Sequence, residues 1–211
     1  MRATLLSGLV AAALSLTANA IPTITTKGQY FFTSNGNRWF IKGTPLLEIR
    51  LLVKQTLLTL IPGVAYQLYS TGTDVQVDPF VSIAQCTRDA NLMASIGVNA
   101  VRTYHVRPAL DHSACMAVFA NLGIYLFVDL DDYVSQLDEN TPGWTNQQKA
   151  YFEAVMDEFS QYDNVAGFFI GNENINSGKF SNMDRMTSPP RLTPHPRRQV
   201  WCRSLHSRRR A

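Results

Sequence analysis

Four polar residues stand at matching places along this chain: Gln67 in "VAYQ", Tyr104 in "VRTY", Asp129 in "LFVDL" and Glu173 in "FFIGNE". Each stands at or just past the end of a short apolar run. An amide, a phenol and two carboxyls are the groups that hold sugar hydroxyls, which need donors and acceptors side by side. Glu173 ends the longest such stretch, "VAGFFIGNENINSG", where Val165–Ile170 is too short for a helix and is flanked by turn formers. A carboxylate there is a structural anchor or a catalytic group. Taken singly, each of the four reads as a satisfied polar group at a strand end. Four in succession argue for a site.

The elements that must position them alternate. "GQYFFTSNGNRWFIKG" predicts a hairpin around Asn35-Gly36, with "RWFIKG" as its second strand. "VAYQLYSTG" reads as a strand and loop. From Asp78 a helix is expected, with Asp78 as its cap, Pro79 in its first turn, apolar residues through Met93 and Gly97 as its stop. "VNAVRTYHV" is a strand, "HSACMAVFANLG" a helix closed by Gly123, and "IYLFVDL" a strand. Thr145 and Gln148 form a capping box before the helix "NQQKAYFEAVMDEFSQY", and "VAGFFIGNE" is the next strand. Such alternation implies βα units and a parallel sheet, as a Rossmann fold or a barrel. No G-x-G-x-x-G follows the first strand, which counts against a dinucleotide fold. In a (β/α)8 barrel the C-terminal ends of the strands meet on one face, where active sites lie. The fold expected is therefore α/β, a partial (β/α)8 TIM barrel of roughly the first four βα units.

The ends of the chain read differently. Arg2, the apolar stretch Leu5–Leu16 and "ANA" at 18–20 predict a secretory signal peptide over residues 1–20. The net charge of +3 conceals a division: residues 1–184 carry all sixteen acids, whereas eight arginines and no acid lie between Arg185 and Ala211. The segment 181–211 is read as a disordered basic tail or as non-native coding sequence, not as a nucleic-acid patch, because a secreted protein rarely meets nucleic acid. In an oxidising compartment Cys86 and Cys115 are the natural disulfide pair, since both fall in the well-patterned region, and Cys202 is left over. No zinc spacing occurs, and His105, His112, His195 and His206 are scattered, so neither a metal nor another cofactor is expected.

With these residues in hand, the chain resembles the fungal β-1,3-glucanosyltransferases of glycoside hydrolase family 72. The matching stretches are "GVAYQ", "CTRDANLMASIGVNAVRTY", "DHSACMAVFANLGIYLFVDL" and "VAGFFIGNE", covering roughly residues 28–43 and 64–178. The resemblance implies a secreted, cell-surface enzyme, GPI-anchored in the family, that remodels cell-wall β-1,3-glucan by retaining transglycosylation. It implies that Glu173 is the general acid/base, that Asn172 bonds the sugar 2-hydroxyl, and that Gln67, Tyr104 and Asp129 surround the donor sugar. It also implies a disulfide between Cys86 and Cys115 joining the first two βα units. The partner implied is β-1,3-glucan, and a membrane is met only through a lipid anchor that this chain lacks.

Two departures stand against the pattern. Removing Thr44–Gly63 leaves "RWFIKGVAYQ", the continuous first strand typical of the family. The 44–63 stretch is read as a retained short intron; the alternative is a genuine amphipathic insertion. It is expected to split the first strand and displace Gln67 from the site. After Gly178 the family continues with a helix and four more βα units, and its nucleophile is a glutamate at the end of the seventh strand of the barrel. The arginine-rich tail stands there instead, as if from a misread exon. Glu139, Glu153 and Glu158 are poor substitutes, one in a loop and two on a covering helix. Residues 21–180 are thus expected to form the N-terminal part of a catalytic domain, truncated and inactive alone. The alternatives are a secreted non-catalytic glucan-binding protein and a β-glucan hydrolase.

Overall fold

The computed structural model describes residues 20–42, 63–73, 75–132, 135–136 and 143–171. The expectations for the signal peptide, for nearly all of the 44–63 stretch, for Glu139, Asn172 and Glu173, and for the 181–211 tail with Cys202 fall outside these residues.

The described chain runs through nine strands and three helices: β1 (Ile24–Lys27), β2 (Tyr30–Thr33), β3 (Arg38–Trp39), β4 (Val64–Ala65), β5 (Leu68–Tyr69), β6 (Gln76–Val77), α1 (Ile83–Ser95), β7 (Ala100–Thr103), α2 (Ser113–Asn121), β8 (Tyr125–Asp129), α3 (Asn146–Phe159) and β9 (Val165–Phe169). Strands β4, β7, β8 and β9 pair in that order, all parallel. The order never reverses. The helices α1, α2 and α3 bury Cys86, Ala90, Met116, Phe119, Phe152 and Phe159 in one cluster with Val101, Leu126, Val128 and Phe168 of the strands. All three crossovers therefore cover the same face of the sheet, as right-handed connections must when the strand order runs one way.

The opposite face divides into a lower apolar and an upper polar half. Ala100, Tyr125, Phe127 and Ala166 are covered by Phe31, Trp39 and Ile41 from the antiparallel β1-β2-β3 sheet and its C-terminal flank. Trp39 meets Tyr125 edge-on with ring centroids 5.2 Å apart. This sheet plugs the face at the N-terminal ends of the parallel strands. Strand side chains alternate in direction, so Arg102 and Tyr104 follow Ala100, and Asp129 follows Phe127, on this same face but nearer the C-terminal ends.

The boundaries follow local chemistry. Gly97 and Gly123, at φ of 80° and 74°, end α1 and α2 as expected. In each the amide after the glycine reaches back to the helix, Val98 N to Met93 O and Ile124 N to Phe119 O, which satisfies the last carbonyls. Thr145 and Gln148 form the reciprocal capping box of α3. The Asn35-Gly36 turn joins β2 to β3, although only Arg38–Trp39 of "RWFIKG" is strand and β1 adds a further partner to β2. Asp78 does not cap α1. Its carboxylate takes the amides of Phe80 and Arg107 and faces His112, while the chain turns to bury Phe80 before the helix starts at Ile83.

Gln67 is not displaced. Lys42 and Gly63, on either side of residues 43–62, meet at the foot of β7. Lys42 exchanges bonds with Asn99, through Asn99 N to Lys42 O at 3.1 Å and Lys42 N to Asn99 Oδ1 at 2.6 Å. Gly63, at φ 80°, lies so close to Ala100 that an added Cβ would come within 3.1 Å of its carbonyl oxygen. Ile41 touches the same spot. The chain leaves and returns at one place, so β4 keeps its register with Val101 and Arg102 whatever lies between.

Candidate active-site cleft

At the C-terminal ends of the parallel strands lies an open cleft of about 130 Å³, lined by Gln67, Gln76, Tyr104, Asp129, Asp131, Asp132 and Gln136. Gln67 follows β4, Tyr104 follows β7 and Asp129 ends β8. Three of the residues expected from the sequence thus converge from three successive strands. The other two, Asn172 and Glu173, lie outside the described residues, just past Gly171 beyond β9. Glu153 and Glu158 are on α3, on the covering side, and Glu158 is engaged with His112.

Arg102 organises the floor. Its Nε donates to Asp129 Oδ1 at 2.8 Å and its Nη2 to Asp129 Oδ2 at 2.6 Å, a two-pronged ion pair. The guanidinium carbon lies 4.3 Å from the Tyr104 ring centroid and 4.7 Å from that of Phe169. The Asp129 side chain is 1 % exposed. Burial raises its carboxyl to about 6, with Asp131 adding to the rise and Arg102 opposing it. For Arg102 burial disfavours the charge, but the bonds and attraction from Asp129 outweigh it and its pKa is raised. The two short bonds favour the ionised pair at neutral pH, and a carboxyl titrating near 6 is consistent with that.

A second set of bonds steadies the loop after β8. His105 Nδ1 lies 2.6 Å from Asp132 Oδ1, and Asp132 N donates to Ser135 Oγ at 2.9 Å. The Tyr151 hydroxyl donates to Val106 O at 2.8 Å, tying α3 to the segment after β7. On the other rim Gln67 and Gln76 flank the exposed Tyr69.

The sequence reading missed Arg102, Gln76, Asp131, Asp132 and Gln136. Arg102 carried a usable signal: it is a charged residue in step with Tyr104 inside an apolar strand, so it shares the face that Tyr104 occupies. The glutamines carried none, since each is an ordinary loop or hairpin residue until the fold brings it to the cleft. Cys86 and Cys115 are bonded, with Cα atoms 5.5 Å apart, and join α1 to α2 behind the cleft.

Residues 51–187 match the Glucanosyltransferase family, glycoside hydrolase family 72. The 1,3-beta-glucanosyltransferase gas1 of Schizosaccharomyces pombe is 32% identical over 186 residues, covering 86% of this chain and 31% of that protein. The 1,3-beta-glucanosyltransferase GAS5 of Saccharomyces cerevisiae is 34% identical over 181 residues, covering 84% and 33%. The solved structure of Saccharomyces cerevisiae Gas2p in complex with laminaripentaose superposes with a TM-score of 0.61 at 28% identity, over 74% of this chain and 32% of that one. The chain spans about a third of the length of these relatives. Over that span both the sequence and the parallel sheet agree with them, and the chain belongs to the glycoside hydrolase family 72 glucanosyltransferases.

Proposed function

We propose that this chain provides the donor-binding side of a retaining β-1,3-glucanosyltransferase cleft, and that its four parallel strands are the first arc of a (β/α)8 barrel. The observation that carries the reading is the convergence of Gln67, Tyr104 and Asp129 on one cleft from three successive strand ends. In this reading they hold the hydroxyls of the donor glucose units, and Asn172 bonds the 2-hydroxyl. Glu173 protonates the glycosidic oxygen as the bond breaks, then takes the proton of the incoming hydroxyl. A retaining reaction needs a second carboxylate as nucleophile, about 5–5.5 Å from the first. In this reading that residue belongs to the seventh strand of the complete barrel. An acceptor glucan hydroxyl in place of water makes the outcome transfer. The laminaripentaose complex of the related Gas2p supports β-1,3-glucan as the substrate class. Residues 1–20 act as a secretion signal in this reading, and the site of action is the cell surface.

The test is incubation with laminaripentaose of a protein extended to the length of the relatives. Products longer than the substrate are expected, and Glu173→Gln should abolish them without altering the circular dichroism spectrum. Shorter products alone would mean hydrolysis. Binding without turnover would mean a glucan-binding module.

A further inference from the structure

We propose that Arg102 is a positioning residue: its guanidinium, held against the Tyr104 ring, fixes the orientation of the Asp129 carboxylate and so sets how the cleft receives sugar hydroxyls. The identity of the ligand rests on the glucan reading above, whereas the coupling of Arg102 to Asp129 does not.

The argument begins with register. Arg102 pairs with Phe127 across the β7–β8 ladder, one inward-facing rung below Asp129. A short side chain there would stop beneath the cleft. The arginine reaches the next rung and grips both carboxylate oxygens, at 2.8 and 2.6 Å. A two-pronged pair fixes the rotation of a carboxylate, which a single donor cannot do. The lone pairs not used by Arg102 then have a set direction, and Asp129 lines the cleft. The stacking of the guanidinium against Tyr104 and Phe169 holds its own plane in turn. Stability alone explains little, because a buried ion pair often stabilises a fold no better than apolar residues of the same volume.

Charge points the same way. Asp129 is faced by Arg102 from β7 and by Asp131 from the loop after its own strand, Tyr104 lines the same cleft just past β7, and β9 pairs Phe169 with Asp129. Arg102 is the cation among these groups. Without it, burial and Asp131 would leave the carboxyl protonated at neutral pH, turning an acceptor into a donor.

The test uses the 211-residue chain. The Asp129 carboxyl is followed by 13C NMR against pH without ligand, and laminaripentaose affinity is measured between pH 5.5 and 8. Arg102→Gln should move the Asp129 midpoint upward by about 1–3 pH units. It should also lower affinity at pH 7 by roughly tenfold or more. In an Asp129→Asn background the same change should cost nothing further, since the effect runs through Asp129. Should Arg102→Gln fail to fold, Arg102→Lys decides: it keeps the charge without the fork, so the carboxyl stays ionised at pH 7 while affinity falls. An unmoved midpoint in folded Arg102→Gln, additive losses, or full affinity in Arg102→Lys would each overturn the proposal. Failure of the wild-type chain to bind laminaripentaose would instead count against the glucan reading, and the ligand-free titration would still decide whether Arg102 controls Asp129.

Discussion

Replacing His112 with glutamine should cost about 3 kcal/mol of stability near pH 6, the lower end of the range for breaking a buried ion pair. The imidazole is fully buried between two carboxylates, with Nδ1 2.8 Å from Glu158 Oε1 and Nε2 3.0 Å from Asp78 Oδ2. It joins the segment after β6, the start of α2 and the end of α3 at one point. The lower end applies because neither acid is left bare. Asp78 keeps the Phe80 and Arg107 amides, and Glu158 keeps the Tyr162 hydroxyl and the Gln161 amide. Burial disfavours the imidazolium, but the bonds to Asp78 and Glu158 prevail, and its pKa is raised above the ordinary 6.5. A raised folded pKa means that the folded state binds the proton more tightly. The contribution is therefore fully present below pH 6.5 and is lost as pH rises through the folded pKa. The gap between wild type and variant should be widest near pH 6 and narrow by pH 9. It should not vanish, because the ring also packs on Phe159 with centroids 4.7 Å apart. Urea unfolding at pH 6, 7.5 and 9 measures it, with the denaturant slope checked for constancy. A gap of constant size across that range would refute the imidazolium and leave His112 a neutral packing residue.

The Cys86–Cys115 bond closes a separation of 29 residues, and replacing both cysteines by serine should cost roughly 3–4 kcal/mol. Chemical denaturation measures the loss, and non-reducing peptide mapping checks the pairing; a bridge containing Cys202 would contradict it. Deleting residues 44–63 should leave the cleft intact, because Lys42 and Gly63 already meet at Asn99 and Ala100. The deletion brings Gly43 directly before Val64, where the backbone requires a positive φ. Loop entropy grows only slowly with length, so stability should change by no more than about 1–2 kcal/mol. Thermal unfolding and the amide spectrum of Gln67 and Tyr104 report the result, and a deletion variant that does not fold would refute the reasoning.

The sequence by itself determined the alternation of strands and helices, because each boundary is written in short-range chemistry. Gly97 and Gly123 must end helices, Thr145 with Gln148 must begin one, and "IYLFVDL" can only be a buried strand. It also determined that Gln67, Tyr104 and Asp129 stand at strand ends, since period and turn residues are enough to place them. Asp78 shows where local reading stops. Local pattern offers it as a helix cap, but the nearby Phe80 amide takes one carboxylate oxygen, and Arg107 N and His112, both distant in sequence, take the other. Tertiary structure alone decided that β4 survives the 44–63 stretch, because the closeness of Lys42 to Gly63 is a contact made through β7 and not through the chain between them. It alone decided the partner of Arg102. A charge in a strand announces only which face it occupies; the neighbouring strand's register determines that Asp129 stands within reach, and desolvation at that depth makes the pair set the chemistry of the cleft.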